Sequence, residues 1–192
     1  VALPAAVLVL LVASGLPEAL RSRGSAGGPD PLWDLAVGSA GLVGLLVHVG
    51  FTYDPAGLAL LRSAVGALFL GTLTCGMLLG HWYLLQPGLT RAPLIELVWL
   101  LVALWPIELA TQLWPTGMTS VLTGDINDGS GGLLGWFWIG CVVLTLVLVV
   151  VTRLALRESQ YEAVMAATGL LYLAILTGFG MDLISRALLV PA

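Results

Sequence analysis

Charged residues are scarce in this chain. They make up 9% of its 192 residues, and lysine is absent, so arginine supplies all seven cationic side chains. A soluble domain has roughly 25% charged residues. Hydrophobic residues reach 59% and the mean hydropathy is +1.03. The composition therefore argues against a soluble protein and predicts an integral membrane protein. A net charge of −4 without a basic cluster also argues against nucleic-acid binding.

Reaction motifs are missing as well. The sequence contains no G-x-S-x-G, P-loop, dinucleotide fingerprint or H-E-x-x-H pattern. Its two cysteines, Cys75 and Cys141, lie in apolar runs without metal or redox spacing, so we expect packing roles. The string DINDG is one residue short of a calcium loop, and we expect Asp125, Asn127 and Asp128 to form turns. The sequence thus gives no positive indication of an enzyme.

Six long apolar segments fill most of the chain. They cover about residues 1–19, 32–53, 56–85, 94–114, 132–152 and 163–189. Each provides the roughly 20 residues that a helix needs to cross the hydrocarbon core of a bilayer. None alternates with period two, and all exceed the roughly ten residues of a barrel strand. The sequence therefore predicts an all-α, polytopic transmembrane helix bundle, one domain over residues 1–192 with no sizeable soluble domain.

The placement of arginine predicts the orientation of these spans. With six alternating spans, five arginines fall on one side of the membrane and two on the other. The larger group is Arg21, Arg23, Arg91, Arg153 and Arg157, and the smaller group is Arg62 and Arg186. The positive-inside rule places the larger group in the cytoplasm. We therefore expect a protein of a bacterial inner (cytoplasmic) membrane with both termini on the outer side.

Few ionisable residues lie inside the predicted spans, and each is expected to face protein, water or a cofactor. His48 and Glu108 match in depth near the outer side, while His81 and Glu96 match near the inner side. A short turn joins the third and fourth segments, so a His81–Glu96 hydrogen bond is sterically reasonable. A His48–Glu108 pair requires the second and fourth segments to touch. Either pair suits a ligand site or proton relay, or a polar clamp between helices.

His81 is the strongest candidate for cofactor binding. It ends a face of small residues formed by Ala67 and Thr74, with Ser63 and Gly66 on the same side, although helix packing is the ordinary meaning of such patterns. Gly76 and Gly80 form a second small-residue pattern on another face. The two histidines lie near opposite membrane faces, so they cannot ligate one iron within a single chain. A single-histidine haem or other tetrapyrrole is one hypothesis, and a quinone site formed with Tyr83 and Glu96 is another.

Three classes of function remain open at this point. The first is a structural or accessory subunit of a larger, energy-converting membrane complex of respiratory or photosynthetic electron transfer. The second is a redox subunit with a haem, tetrapyrrole or quinone near His81. The third is a small transporter or a proton or ion channel that uses Glu108 and Glu96. Pro106, two residues before Glu108, is expected to kink the fourth segment there. The expected partners are the lipid bilayer and other membrane subunits.

Overall fold

The computed structural model describes residues 56–189 except 87, 89, 116 and 159, together with Ser39, Gly41, Val43, Gly44 and Val47. Those five positions have helical backbone. The first two predicted spans otherwise lie outside the described residues. The chain divides into two compact units, residues 1–64 and residues 65–192, and the boundary falls inside the first continuous helix.

The continuous part of the described chain is helical and contains no strand. Its helices are α1 (Ala56–Leu85), α2 (Ala92–Leu113), α3 (Gly117–Leu122), α4 (Leu133–Ala155) and α5 (Tyr161–Leu189). All but the short α3 are long and apolar enough to cross a membrane. The third to sixth predicted spans are therefore confirmed as helices. A total of six spans, and a single domain over residues 1–192, stay predictions.

Helix α2 continues through an internal proline. Pro93 lies in its first turn, where a missing N–H is tolerated because those N–H groups have no partner within the helix. Pro106 lies in the interior of the same helix, which runs unbroken to Leu113. Its ring nitrogen provides no donor for the carbonyl of Val102. The helix ends where Trp114 turns to an extended conformation.

Glycines allow α1 and α5 to pack closely. A Cβ on Gly178 would lie 2.7 Å from Leu73 Cδ2, and a Cβ on Gly80 would lie 2.7 Å from Thr168 Oγ1. A real Cβ atom does not come this close to atoms of a neighbouring side chain, so a larger residue at either position would force that side chain or the helices to shift. Gly76 also faces α5, so the packing predicted for the Gly76 and Gly80 pattern is confirmed. Leu73, earlier on α1, contacts Gly178, which is later on α5, whereas Gly80, later on α1, contacts Thr168, which is earlier on α5. The two helices are therefore antiparallel.

The other small-residue face of α1 behaves differently. Ala67 and His81 are exposed, and the hydroxyl of Thr74 donates to the carbonyl of Leu70 in its own helix at 2.7 Å. Gly66, on the same side of α1, is buried and packs against Asp182 and Arg186 of α5. The packing expected for this face is therefore seen at Gly66 but not at Ala67 or His81.

Helix α4 packs between α2 and α5. The Thr145 hydroxyl donates to Thr177 Oγ1 of α5 at 2.8 Å. On the other side, the Arg153 guanidinium lies 4.3 Å from the ring centroid of Trp99 of α2, an arrangement typical of a cation–π contact. The fully buried side chains of this bundle include Phe69, Leu73, Leu94, Val98, Leu101, Val149 and Leu171.

The loop before α4 is organised by one carboxylate. Asp128 Oδ1 accepts from the backbone N–H groups of Ser130 and Gly132, and its Oδ2 accepts from that of Leu134. Gly132 has a φ of 90°, a conformation that favours glycine. The predicted turn role of Asp128 is thus confirmed. The hydrogen bonds, that from the Gly132 N–H first, hold the pKa of the Asp128 carboxyl well below its usual range.

This loop gives a pH-dependent prediction. A carboxyl whose pKa is lowered by folding stabilises the protein above its ordinary pKa of 3.8, and that stabilisation is lost as the pH falls towards the lowered value. Asp128→Asn should lower the unfolding temperature at neutral pH and flatten its decline in acid. Asp125→Asn, in the same exposed loop, is the control. Thermal unfolding in detergent between about pH 2 and 7 measures both, and an unchanged acid decline in Asp128→Asn would contradict the assignment.

Candidate functional site

Ionisable side chains meet inside the bundle near the end that carries Leu113 and Leu189. Glu108 of α2 is 1% exposed and Asp182 of α5 is 7% exposed. Asp182 accepts a hydrogen bond from Arg186, four residues further along α5, with Nε and Oδ2 2.7 Å apart. The spacing of four residues places the two side chains on one helix face. We call Glu108, Asp182 and Arg186 the acidic cluster.

Gly66 of α1 provides the space in which the acidic cluster forms. A Cβ at this position would lie 3.0 Å from Asp182 Oδ1 and 3.6 Å from Glu108 Oε1. It would clash with Nη2 of Arg186. Three polar groups from two helices therefore converge on the backbone of a third helix. Glycine leaves room for the guanidinium, which bonds Asp182, on the side of α1 where Glu108 also lies.

A chain of hydrogen bonds from α4 orients Glu108. The indole Nε1–H of Trp138 donates to Gln112 Oε1 at 2.9 Å. An indole nitrogen is a donor only, so it fixes which end of the Gln112 amide is the oxygen. The Gln112 Nε2 group consequently donates to Glu108 Oε1 at 2.6 Å. Trp138 is 3% exposed and Gln112 is 2% exposed, so this chain is shielded from water and lipid.

One oxygen of the buried carboxyl has no protein partner. Glu108 Oε2 is buried and accepts no hydrogen bond from the described residues. Trp105, one helical turn earlier on α2, has a buried indole N–H that is also unpaired in this part of the chain. A buried polar atom without a partner commonly marks a bound water, an ion or a functional group. The vicinity of Glu108 therefore has unused hydrogen-bonding capacity.

The acidic cluster carries an unequal set of charges. Among the described residues, two carboxyl groups and one guanidinium meet at Gly66, and these three groups together are neutral only when one carboxyl holds a proton. Asp182 accepts a charge-assisted hydrogen bond from Arg186. Glu108, which has one oxygen without a partner in this part of the chain, is the candidate for the proton. An unbalanced charge is costly in a membrane interior.

On one side of the acidic cluster, the buried side chains of α2 are apolar. Leu94, Val98 and Leu101, earlier on α2, are fully buried. Towards the opposite end the buried side chains include polar ones, such as Thr111 of α2 and Ser185 of α5. Along the buried face of α2, the residues before Glu108 are therefore mainly apolar, and those after it include polar ones.

The residues predicted near the opposite end are not brought together with one another. His81 is exposed, and its Nδ1 lies 3.3 Å from the Tyr172 hydroxyl of α5. Glu96 is exposed on α2 and is not the partner of His81. The Tyr83 hydroxyl donates to the carbonyl of Thr90 at 2.5 Å, which ties the end of α1 to the turn before α2.

A cofactor on His81 stays a prediction, as does a quinone site with Tyr83 and Glu96. His48, and with it the His48–Glu108 pair, lies outside the described residues. Among the described residues, no group of three or more His, Cys, Asp or Glu side chains could hold a metal ion.

The sequence analysis identified Glu108 but not its partners. Arg186 was used only as a topological signal, and Asp182 was not connected with Glu108. A usable signal was present, since an acidic and a basic residue four positions apart near the end of the sixth predicted span lie at the depth of Glu108. A bond between Gln112 and Glu108 was not predicted, although the two side chains are in direct contact.

Comparison of the chain with protein-family models, with curated proteins and with solved structures gives no match. The geometry of the acidic cluster is therefore the main indication of function.

The hydrogen bonds that link Trp138, Gln112 and Glu108 give a testable prediction. Trp138→Phe keeps the aromatic ring but removes the N–H donor to Gln112, and should lower the stability of the bundle by about 1 kcal/mol, the size of an interhelical hydrogen bond in a membrane. The control is Trp136→Phe on the same helix, because Trp136 is 70% exposed. Unfolding in a denaturing detergent measures both variants, and equal stability of the two would contradict the orienting role.

Proposed function

We propose that this protein takes up and releases a proton at Glu108 and couples that step to transport across a membrane. The observation that carries the proposal is the burial of Glu108, with one oxygen unpaired among the described residues, next to the Asp182–Arg186 ion pair. Ionisable residues inside membrane spans are rare and commonly mark proton relays and ion pathways.

The surroundings of Glu108 favour coupled transport over an open channel. A channel needs a continuous polar or hydrated route, whereas Leu94, Val98 and Leu101 form a fully buried apolar segment of α2 on one side of the cluster. Access from the Leu113 end, followed by a rearrangement of helices, agrees with the alternating access of secondary transporters. Interhelical contacts through glycine, such as that at Gly66, allow such helices to approach closely.

The charge balance links the proton to the packing of the helices. With Glu108 protonated, the acidic cluster is neutral and α1, α2 and α5 can remain close. Loss of the proton leaves a net negative charge in a site shielded from water, which favours separation of the helices or entry of water and cations. Binding of a proton would therefore shift the population between a closed and a more open bundle.

The decisive experiment measures the proton directly. Infrared difference spectra of the purified protein between acidic and alkaline buffer should contain the C=O band of a buried protonated carboxyl. Glu108→Gln should remove this band, and should reduce proton entry into proteoliposomes under an imposed membrane potential. Glu96→Gln, an exposed carboxyl on the same helix, should change neither. An identical carboxyl band in Glu108→Gln would refute the proposal.

A second candidate function is that of an accessory subunit in a larger energy-converting membrane complex. It is favoured by the surface of α1, where Ala67, Gly71 and Cys75 are exposed and a Cβ on Gly71 would meet nothing within 4 Å among the described residues. Such small-residue faces are typical of contacts between membrane helices. Purification in a mild detergent should then recover stoichiometric membrane-protein partners, and Gly71→Leu should release them. Recovery of a homogeneous monomer alone would count against this candidate.

A further inference from the structure

We propose that Arg186 is a tethered counterion that exchanges with an alkali-metal cation such as Na⁺ at the Glu108–Asp182 pair. The inference rests on the proposed function and concerns the ligand of the same site. The guanidinium occupies the position that a bound cation would take, and its departure would leave that position open to an external cation.

The position of the Arg186 side chain supports the exchange. Its Nε group bonds Asp182 Oδ2 at 2.7 Å, and its Nη2 group reaches the backbone of Gly66. At that point Asp182 Oδ1 and Glu108 Oε1 both lie within 4 Å of the place where a Cβ of Gly66 would be. The guanidinium, Asp182 Oδ1 and Glu108 Oε1 thus meet on one side of α1 at Gly66, and oxygen is the ligand that hard cations prefer.

The two members of the ion pair differ in exposure. The Arg186 side chain is 41% exposed and that of Asp182 is 10% exposed. Arg186 therefore reaches into the cluster from the surface of the described unit, and a rotation of its long side chain can withdraw the guanidinium without moving α5. Asp182 and Glu108 would stay buried.

Charge balance then requires a replacement. Withdrawal of Arg186 leaves the buried Asp182 carboxylate without its cation, which is strongly unfavourable in a membrane interior. One monovalent cation restores the balance because it carries the same charge as the guanidinium. Glu108 Oε2, which is buried and unpaired among the described residues, supplies a further oxygen ligand. A divalent ion would instead require Glu108 to be ionised as well.

Gly66 controls whether Arg186 can enter. A methyl group on Gly66 would occupy the space of the Arg186 Nη2 group. Gly66→Ala should therefore displace the guanidinium while leaving every charged residue in place. Gly71→Ala, on the same helix with nothing within 4 Å of its Cβ position, is the matched control.

The test compares thermal unfolding of the purified protein in NaCl and in choline chloride at equal ionic strength. The Arg186→Gln variant should unfold roughly 3–10 °C higher in NaCl when Na⁺ exceeds its Kd by ten- to a hundredfold. Gly66→Ala should show a rise of the same sign, and the unaltered protein and Gly71→Ala should show a smaller one. Adding Glu108→Gln or Asp182→Asn to Arg186→Gln should abolish the Na⁺ effect.

The inference is overturned if Gly66→Ala unfolds at the same temperature in both salts, a result that stands even if Arg186→Gln fails to fold. It is also overturned if the Na⁺ effect survives removal of both carboxylates. These outcomes are separate from failure of the proposed function, which is decided by the infrared carboxyl band of the unaltered protein. If that band depends on Glu108 while no variant responds to Na⁺, the cluster binds only a proton.

Discussion

The ion pair between Asp182 and Arg186 is the interaction on which the interior of this bundle depends. Two charges in a membrane protein stay buried only when they are paired and hydrogen-bonded. Here the pair is four residues apart on α5 and reaches α1 where Gly66 has no side chain. Glu108 of α2 faces the same point. Residues of three helices therefore meet at one group of ionisable side chains, and a shift of one helix would change the contacts at Gly66.

Around this polar centre, small residues and threonines set the distances between helices. Apolar side chains give little driving force for helix association in lipid, so close backbone approach and interhelical hydrogen bonds matter more. Gly178 and Gly80 bring α1 and α5 together, and the Thr145–Thr177 bond joins α4 to α5. Trp138 adds a bond across α4 and α2 that also orients Glu108 through Gln112. Packing and the candidate site consequently use some of the same contacts.

The same arrangement buries Glu108 but leaves part of its hydrogen-bonding capacity unused among the described residues. A structural clamp would satisfy every polar atom, whereas Glu108 keeps one oxygen without a partner among the described residues. Its neighbour Asp182 is already committed to Arg186. Addition of a proton, or exchange of the guanidinium for a cation, changes the charge or the occupancy of the site without breaking the hydrogen bond from Gln112. This property separates the acidic cluster from the simple polar contacts elsewhere in the bundle.

The sequence by itself indicated that this chain belongs in a lipid bilayer, and it located the last four apolar helices. Apolar length and the absence of period-two alternation suffice for that, because the bilayer imposes both on any helix that crosses it. Short-range features also followed from sequence, such as the turn at Asp128 and the packing of Gly76 and Gly80. Position within a span made Glu108 a candidate site residue, but depth does not say which faces of two helices meet.

The tertiary structure alone decided the partners. Helix rotation and neighbour order placed Asp182 and Arg186 at Glu108, while His81 met Tyr172 and Glu96 remained exposed. Two residues at equal depth on adjacent spans can point towards or away from each other, since a residue's direction changes by about 100° with each step along a helix. The contact that defines the candidate site depends on a residue with no side chain, Gly66, and its meaning is visible only once three helices surround it.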